Sequence, residues 1–291
     1  MSTTFKAALV QTNSANDPAV NAPVIQARIA EAAGQGADFV MFPEVATIVE
    51  TGGKNVAPRV MTFDQDPHLP TFCDAAKKAG VWVLIGSMVV KHDTLDRKFC
   101  NRSVLITDWG EIAATYDKIH MFDVDLENGE SYRESKSYEP GRAAKVVGTP
   151  WGLLGMSICY DMRFPHLYRQ MAQAGATMLA MPASFTRPTG RAHWHVLLRA
   201  RAIENGCFVF APAQTGEHMD GRKTYGHSLI VDPWGEVIAD GGEDVGIVYG
   251  DIDLSLVDKA RGKVPSLNHD RAFAAPDAPG EAPPALKVFG S

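Results

Sequence analysis

The sequence contains a cysteine placed where a thiol could act as a nucleophile. Cys159 ends a run of apolar and small residues at 153–158, which predicts a buried strand ending at this cysteine. Pro165 fits the first turn of a following helix, because its missing N–H would have no partner there. The thiol would then lie on a strand-to-helix turn, where backbone N–H groups stabilise negative charge. The alternative is a structural role, since most free cysteines are small buried hydrophobes.

Three charged side chains occupy similar places along the chain. Glu44 and Lys118 each follow a strand-like run, and Glu134 lies in a long polar loop. Strand ends in α/β folds often converge on the site crevice, so these side chains could meet Cys159. Taken one at a time, each is more typical of a solvated charge at the rim of a fold.

A cysteine, a glutamate and a lysine together can perform nucleophilic catalysis. Moving a proton from a thiol to a carboxylate, with ordinary pKa values of about 8.5 and about 4.3, is uphill by about 6 kcal/mol. Burial would raise the pKa of Glu44, and the ammonium of Lys118 would favour the thiolate. The same ammonium would lower the pKa of Glu44, so the net effect depends on geometry.

The order of predicted elements favours a layered α/β fold, because strands and helices alternate in both halves of the chain. The predicted strands are residues 5–11, 38–42, 81–86, 152–159, 177–181 and 207–211, and the helices between them are 20–33, 68–79, 164–174 and 192–205. The predicted hairpins are 101–107 with 112–116, and 225–231 with 236–239. The repetition predicts an internally symmetric arrangement.

Two stretches fall outside this alternation. The polar segment 123–141 is longer than most connections, and long loops in compact domains tend to be functional. Residues 274–291 are rich in Ala, Pro and Gly, so they can bury too little apolar surface to offset their ordering entropy. We therefore expect one domain over residues 1–273 and a tail that is disordered or ordered on another subunit.

Composition and charge restrict the class of protein. Hydrophobic residues make up 45% of the 291-residue chain and charged residues 21%, as in ordinary globular proteins. The formal net charge of -6 argues against a nucleic-acid partner, which would need a basic face. The four cysteines have no zinc-like spacing, and neither a membrane span nor a signal peptide is visible. A cytoplasmic protein with free thiols and no membrane partner is expected.

Three segments around these residues resemble the signature blocks of the nitrilase superfamily of carbon–nitrogen hydrolases. They are PE at 43–44, DKIHMF at 117–122 and CYDMRFP at 159–165, in the chain order of the family. The resemblance covers roughly residues 5–273 and implies an αββα sandwich, an α/β fold of four layers.

The resemblance also implies roles for individual residues. Glu44, Lys118 and Cys159 would form the catalytic triad, and Glu134 matches a second glutamate of the site. In the cycle this suggests, Glu44 takes the thiol proton as sulfur attacks an amide, and a thioester forms and is hydrolysed. Lys118 and the backbone N–H of Tyr160 would hold the oxyanion. No metal or organic cofactor is required.

The branch of the superfamily is indicated by further segments. Tyr160-Asp161 after the cysteine looks like the amidase side, and residues 192–204 and 225–235 resemble the Nit subfamily, closest to deaminated glutathione amidases. The implied activity is hydrolysis of a small carboxylate-bearing amide, releasing ammonia or an amine. The alternatives are an ω-amidase acting on 2-oxoglutaramate or succinamate, an N-carbamoyl amidase, or a non-catalytic binding scaffold.

Substrate choice is predicted to depend on Arg163, four residues past the cysteine. A guanidinium can bind a carboxylate through two parallel hydrogen bonds, although a structural ion pair is the alternative. The family commonly has Glu where His195 stands, which puts any role of that glutamate in doubt. A metal pair of His193 and His195 is not expected, because residues two apart on a helix do not share a face. The resemblance implies a homodimer or larger homo-oligomer.

Overall fold

Two mixed sheets stand at the centre of the fold in the computed structural model, which describes residues 3–125, 129 and 131–273. In chain order the strands are β1 (Thr4–Gln11), β2 (Phe39–Met41), β3 (Trp82–Lys91), β4 (Phe99–Ile106), β5 (Ile112–Asp117), β6 (Asp123–Asp125), β7 (Ser131–Arg133), β8 (Lys145–Gly148), β9 (Leu153–Met156), β10 (Met178–Ala180), β11 (Phe208–Ala211), β12 (Thr215–Glu217), β13 (Lys223–Tyr225), β14 (Leu229–Val231), β15 (Val237–Asp240) and β16 (Gly246–Asp253). The helices are α1 (Pro18–Gly34), α2 (Gly53–Val56), α3 (Leu69–Ala79), α4 (Pro165–Gln173), α5 (Arg187–Asn205) and α6 (Ser255–Lys263). The predicted tail at 274–291 lies outside the described residues.

The two sheets have closely related topologies. The first has the strand order β16-β1-β2-β3-β4-β5, and the second has the order β15-β14-β11-β10-β9-β8. In each sheet three neighbouring strands are parallel, β1 to β3 in one and β9 to β11 in the other. An antiparallel hairpin follows each set, β4–β5 and β14–β15. The internal symmetry expected from the sequence is therefore present.

Helices cover the outer face of each sheet, which gives four layers. Because side chains alternate along a strand, Phe39 and Met41 of β2 pack between the sheets while Val40 packs on the outer face. There it meets α1 and α3, whose buried residues include Ile29 and Phe72. Helices α4 and α5 pack on the second sheet. The fold is the predicted αββα sandwich, and none of its described helices is long and apolar enough to cross a membrane.

Local sequence signals fix several helix ends. Helix α1 begins after Asp17, whose carboxylate accepts a hydrogen bond from the backbone N–H of Ala19. Helix α4 begins at Pro165, as the sequence predicts. Helix α5 ends at Gly206, whose φ of 55° is the left-handed conformation that glycine adopts readily.

Some predicted boundaries are wrong, and each difference has a local cause. Strand β9 ends at Met156 rather than at Cys159, because the chain leaves the sheet and enters a 3-10 turn at Cys159–Arg163. The predicted loop 123–141 contains the β6–β7 hairpin and a 3-10 turn at Glu134–Lys136. The strand predicted at 225–231 is divided into β13 and β14, because positive φ values at Gly226 and His227 interrupt it.

Candidate active site

The carboxyl ends of parallel strands from both sheets meet at one edge of the sandwich. Glu44 follows β2, Ser184 follows β10 and Gln214 follows β11. Thr12, just after β1, forms a parallel bridge with Gln214 and joins the two sheets there. Because parallel strands end on the same side of a sheet, the polar residues that follow them collect at this edge.

Backbone contacts fix the position of Glu44. The amide of Phe42 donates to the carbonyl of Leu84 at 2.8 Å, which extends the pairing of β2 with β3. Strand β3 passes so close that a Cβ on Gly86 would lie 2.0 Å from the carbonyl oxygen of Phe42 and 2.5 Å from that of Pro43. Only glycine permits this approach, so residue 86 helps to place the glutamate.

Cys159 lies at the first position of a tight turn with a φ of 48°. A left-handed φ is uncommon outside glycine, and residues strained in this way cluster at functional sites. The amide of Cys159 donates to the carbonyl of Pro182 at 2.9 Å. The turn predicted around the thiol is therefore present, but its first element is a 3-10 turn and α4 begins only at Pro165.

Asp161 ties this turn to the segment that carries Lys118. Its fully buried carboxylate accepts hydrogen bonds from the amide of Ile158 at 2.9 Å and from the hydroxyl of Tyr116 at 2.7 Å. The carboxylate also accepts from the amide of His120 at 3.0 Å, and Nδ1 of that ring lies 2.7 Å away. Because Tyr116 and His120 stand on either side of Lys118, one carboxylate positions both the cysteine turn and the lysine.

The ammonium of Lys118 joins the two glutamates. Its Nζ donates to Oε1 of Glu44 at 2.8 Å and to Oε2 and Oε1 of Glu134 at 2.9 and 3.1 Å. Glu134 also accepts from the amide of Phe122 at 2.7 Å, and Oε2 of Glu44 accepts from the amide of Ser184 at 2.8 Å. The Lys118 side chain is only 2% exposed. The structure thus brings together the charged residues that the sequence predicts. The ammonium of Lys118 is itself the cation that lies between the two carboxylates.

Two further polar residues of the cluster are missed by the sequence reasoning. The side-chain amide of Asn101 donates to Oε1 of Glu44 at 2.9 Å and to Oε1 of Glu134 at 3.3 Å. The backbone carbonyl of Glu44 accepts from Nε2 of the buried Gln214 at 3.1 Å. Asn101 lies inside β4, and no motif marks it; only the pairing of β4 with β3 and β5 brings it to Glu44.

The charges of the cluster keep the proton on sulfur in the free protein. Burial would raise the pKa of Glu44, but the charge of Lys118 and hydrogen bonds from Lys118, Cys159 and Ser184 hold this pKa below its ordinary value. Burial and the negative charge of Glu44 raise the pKa of Cys159 well above its ordinary value, and Lys118 opposes this only in part. Burial would lower the pKa of Lys118, but Glu134 and Glu44 raise it. The close Lys118–Glu44 contact therefore decides the balance that the sequence leaves open.

The cluster lines a cavity of about 330 Å³, a volume within the range of small-molecule sites. Aromatic side chains make up much of its wall. The aromatic lining residues are Phe99, Phe122, Tyr132, Tyr138, Tyr160 and Phe185. A largely apolar cavity with a few convergent polar groups is typical of an active site.

Arg163 lies behind the wall of this cavity and is not among its lining residues in the described part of the chain. Its guanidinium lies 5.4 Å from the ring centre of Phe185 and 5.7 Å from that of Tyr160, two residues that do line the cavity. It also donates a hydrogen bond to Nδ1 of His193 at 3.2 Å. Its predicted contact with substrate stays a prediction.

Arg222 is a cavity-lining cation that the sequence reasoning missed. Its guanidinium lies 5.8 Å from the ring centre of Tyr132 and 3.7 Å from a carboxylate oxygen of Asp220, too far for a hydrogen bond. Its Nε is buried and has no hydrogen-bond partner among the described residues. By contrast, the guanidinium of Arg133 in the same wall is tied to both oxygens of Asp125, at 2.8 and 2.7 Å.

A sandwich of two such sheets, with a cysteine, a lysine and two glutamates at one edge, defines a hydrolase of carbon–nitrogen bonds. The family model for carbon-nitrogen hydrolases matches residues 6–262. The chain therefore belongs to the carbon–nitrogen hydrolase family, the nitrilase superfamily indicated by its sequence blocks, and it is an enzyme that acts on amides.

Relatives of similar length and solved structures agree with this assignment. The chain is 37% identical over 265 residues to the deaminated glutathione amidase of Yersinia enterocolitica, covering 91% of this chain and 92% of the relative. It superposes on the Caenorhabditis elegans NitFhit protein with a TM-score of 0.85 at 36% identity, covering 92% of this chain and 65% of that longer one. The TM-score with Saccharomyces cerevisiae Nit3, a member of branch 10 of the nitrilase superfamily, is 0.81 at 28% identity, over 90% of this chain and 94% of that one.

Proposed function

We propose that this protein hydrolyses a small carboxylate-bearing amide through a thioester on Cys159. The observation that carries the proposal is the shared placement of a thiol and three charged groups around one cavity. A carboxylate (Glu44) hydrogen-bonds the thiol, an ammonium (Lys118) lies 2.8 Å from that carboxylate, and a second carboxylate (Glu134) holds the ammonium. The nucleophile, the base and the cation that nucleophilic amide hydrolysis needs therefore lie together in one cavity.

Acylation begins with the thiol rather than with a preformed thiolate. Because the pKa of Cys159 is raised and that of Glu44 is lowered, transfer of the proton in the free enzyme is unfavourable. The proton therefore moves to Glu44 as sulfur attacks the carbonyl carbon and negative charge moves to the carbonyl oxygen. Lys118 and the backbone N–H of Tyr160 stabilise that oxygen, since the first N–H groups of a helical turn have no acceptor within it.

Glu44 then completes both halves of the cycle. It gives its proton to the leaving nitrogen as the C–N bond breaks, which leaves the acyl group on Cys159 as a thioester. The carboxylate next removes a proton from water as the oxygen attacks the thioester, and the thiol leaves with that proton. Glu134 positions Lys118 throughout, through the two hydrogen bonds to Nζ.

The preference for a carboxylate-bearing substrate rests on Arg222 in addition to Arg163. Arg222 lines the cavity and its guanidinium is too far from Asp220 for a hydrogen bond, so it can bind a substrate carboxylate through paired hydrogen bonds. Arg222→Met should lower kcat/KM for an acidic amide about 10- to 150-fold, the loss of a charge-assisted bond worth about 1.5–3 kcal/mol. The matched neutral substrate, in which a carboxamide replaces the carboxylate, should be affected far less.

A parallel Arg163→Met variant separates the two arginines. If only Arg163→Met removes the preference for the acidic amide, Arg222 is not the carboxylate-binding residue. If neither variant changes the preference, the proposal of arginine-based selection is wrong. Thermal unfolding of both variants is measured alongside, because Arg163 packs on Tyr160 and Phe185.

Deaminated glutathione is the substrate we propose, because relatives over nearly the full chain carry that activity in their names. An ω-amidase acting on 2-oxoglutaramate is the alternative. Both substrates yield 2-oxoglutarate, but the first releases cysteinylglycine and the second releases ammonia. Comparing kcat/KM by 2-oxoglutarate formation, with Cys159→Ala as the blank, tests the choice. A higher value for 2-oxoglutaramate would favour the ω-amidase, and equal rates for enzyme and blank would favour a scaffold.

Location and assembly are also proposals. All four cysteines are unpaired, and Cys100, Cys159 and Cys207 are buried, which fits a reducing cytoplasm. The family resemblance favours a homodimer or larger homo-oligomer. On α5, Val196 is 67% exposed and Ile203 is 53% exposed, apolar surface that a second copy could cover. Sedimentation equilibrium measures the assembly directly.

A further inference from the structure

A second polar cluster lies outside the cavity and takes no part in the proposed reaction. It consists of His195, His227 and Asp240, called here the His–Asp cluster. His195 lies on α5, His227 lies in the bend between β13 and β14, and Asp240 ends β15. One ligand atom from each side chain lies within 4.8 Å of the others. Three separate elements therefore converge on one point.

The separations within the His–Asp cluster are a little shorter than those of ligands around one metal ion. Nδ1 of His227 lies 2.9 and 3.2 Å from the two carboxylate oxygens of Asp240, and Nε2 of His195 lies 3.2 Å from one of them. Imidazole and carboxylate ligands bind Zn²⁺ at about 2.0–2.2 Å, so two ligands in a tetrahedral site lie about 3.4 Å apart. The three groups need move little to accept an ion between them.

The surrounding contacts hold the ligands in this arrangement. His227 has a φ of 55°, an uncommon conformation for a residue other than glycine. It is fixed there because its carbonyl accepts from Nε1 of Trp194 at 2.8 Å and its amide donates to the carbonyl of Gly242 at 2.6 Å. Its ring stacks on Tyr225 at 4.4 Å, and Asp240 accepts from the amide of Gly242 at 2.9 Å. Such supporting contacts orient metal ligands in proteins.

We propose that the His–Asp cluster binds one divalent transition-metal ion, with Zn²⁺ the best match. Two imidazoles and one carboxylate form a ligand set suited to Zn²⁺, Co²⁺, Ni²⁺ or Fe²⁺. The side chains of His195, His227 and Asp240 are 34%, 21% and 35% exposed, so water can complete the coordination. An ion there would link α5 to the β14–β15 hairpin.

The link would reach the wall of the proposed active site. Trp194, whose indole donates to His227, packs on Phe185 with ring centres 5.1 Å apart. Phe185 lines the cavity. The ion would act on stability and on the rigidity of this wall, and it would not touch the substrate.

The simpler reading is a carboxylate hydrogen-bonded to two histidines, with no ion. In that state Nδ1 of His227 and Nε2 of His195 each carry a hydrogen. Metal binding to neutral rings moves each hydrogen to the other ring nitrogen, and binding to charged rings releases one proton per ring. The two readings differ in a measurable way, because only a metal site gives metal binding that depends on these three residues.

Zinc titration against a chromogenic chelator tests the proposal on the full-length protein. Wild type should bind one Zn²⁺ per chain, and His195→Gln and Asp240→Asn should each weaken that binding by at least about tenfold. His193→Gln is the matched control, since His193 lies on the same helix but contacts Arg163 instead. Wild type and control should also gain more thermal stability from a given concentration of Zn²⁺ than the two cluster variants do.

Cobalt spectroscopy excludes binding to the cysteines. Co²⁺ held by imidazole and carboxylate gives visible d–d bands without the near-ultraviolet charge-transfer band of a thiolate ligand. Absence of a bound ion in wild type, equal affinity in wild type and both cluster variants, or a thiolate band would each overturn the proposal. Circular dichroism without metal checks that His195→Gln and Asp240→Asn remain folded.

Discussion

Asn101 offers the sharpest test of how the site controls its general base. In Asn101→Ala, Oε1 of Glu44 loses a donor at 2.9 Å, while the hydrogen bonds from Lys118 and from the amide of Ser184 remain. The bond from Asn101 favours the ionised form of Glu44, so its removal favours the protonated form. A protonated Glu44 cannot accept the proton of Cys159.

The size of the effect follows from the chemistry of the lost bond. A hydrogen bond to a charged group contributes about 1.5–3 kcal/mol, which corresponds to about 10- to 150-fold in the ratio of ionised to protonated carboxylate. The pKa of Glu44 is below its ordinary value in the wild-type protein. Loss of the donor raises this pKa, so activity should be lost at a higher pH on the acid side than in wild type.

The assay is kcat/KM as a function of pH, from about pH 4.5 to about pH 8, because this parameter reports ionisations of the free enzyme. We expect Asn101→Ala to lose far more activity at the acid end than at the neutral end, relative to wild type. A uniform loss at every pH would instead indicate that the substitution only displaces the site.

Cys100→Ala is the matched control. Cys100 precedes Asn101 on β4, but its side chain packs with the outer core beneath α1 and α3 and can affect stability without contacting Glu44. Its pH profile should keep the wild-type shape. An Asn101→Ala profile with an unchanged acid limb, in a protein that unfolds normally, would refute the assigned role of the donor.

Three further substitutions test other parts of the reasoning. Glu44→Gln should lower kcat at least about 100-fold, because no carboxylate is then available to take the proton of Cys159 and return it to the leaving nitrogen. Steady-state kinetics measures this, and an unchanged kcat would contradict it. Asp161→Asn should lower the free energy of unfolding by about 3 kcal/mol or more, because the amide group would face several hydrogen-bond donors with no water available. Urea unfolding measures this change. A loss below about 1 kcal/mol would be evidence that Asp161 does not hold the cysteine turn and the Lys118 segment together. Gly86→Ala should lower both the free energy of unfolding and kcat, because the added Cβ would lie 2.0 Å from the carbonyl oxygen of Phe42. A stable and fully active variant would show that the close approach of β3 to Phe42 is not needed.

The secondary-structure elements can be predicted from the sequence because residue patterns within each segment determine them. Alternation of strand and helix patterns predicts a layered α/β fold and its internal symmetry, the family resemblance implies the αββα sandwich, and Pro165 marks the start of α4. The boundary at Cys159 is wrong because an apolar run continues past the point where the backbone leaves the sheet. Ser157 and Ile158 are buried and keep the pattern strand-like, although β9 ends at Met156 and the chain turns at Cys159.

The chemical groups of the site were also determined by the sequence. The blocks around Glu44, Lys118 and Cys159, with Glu134 in the following loop, have the family's residue types in the family's order. These blocks led to the carbon–nitrogen hydrolase family, which the match over residues 6–262 confirms. Their catalytic roles remain proposals that the experiments above test.

Only the tertiary structure decided how these groups affect one another. No sequence motif marks Asn101, Arg222 or the His–Asp cluster. They are recognised as site residues only because strand pairing and helix packing bring distant parts of the chain together. The same holds for the direction of the Glu44 pKa, where burial and Lys118 act in opposite senses. The sequence shows which charged residues are present, but Coulomb energies depend on distance and local dielectric. Only the 2.8 Å contact between Lys118 and Glu44 in the structure shows that the charge of Lys118 outweighs burial in setting the pKa of Glu44.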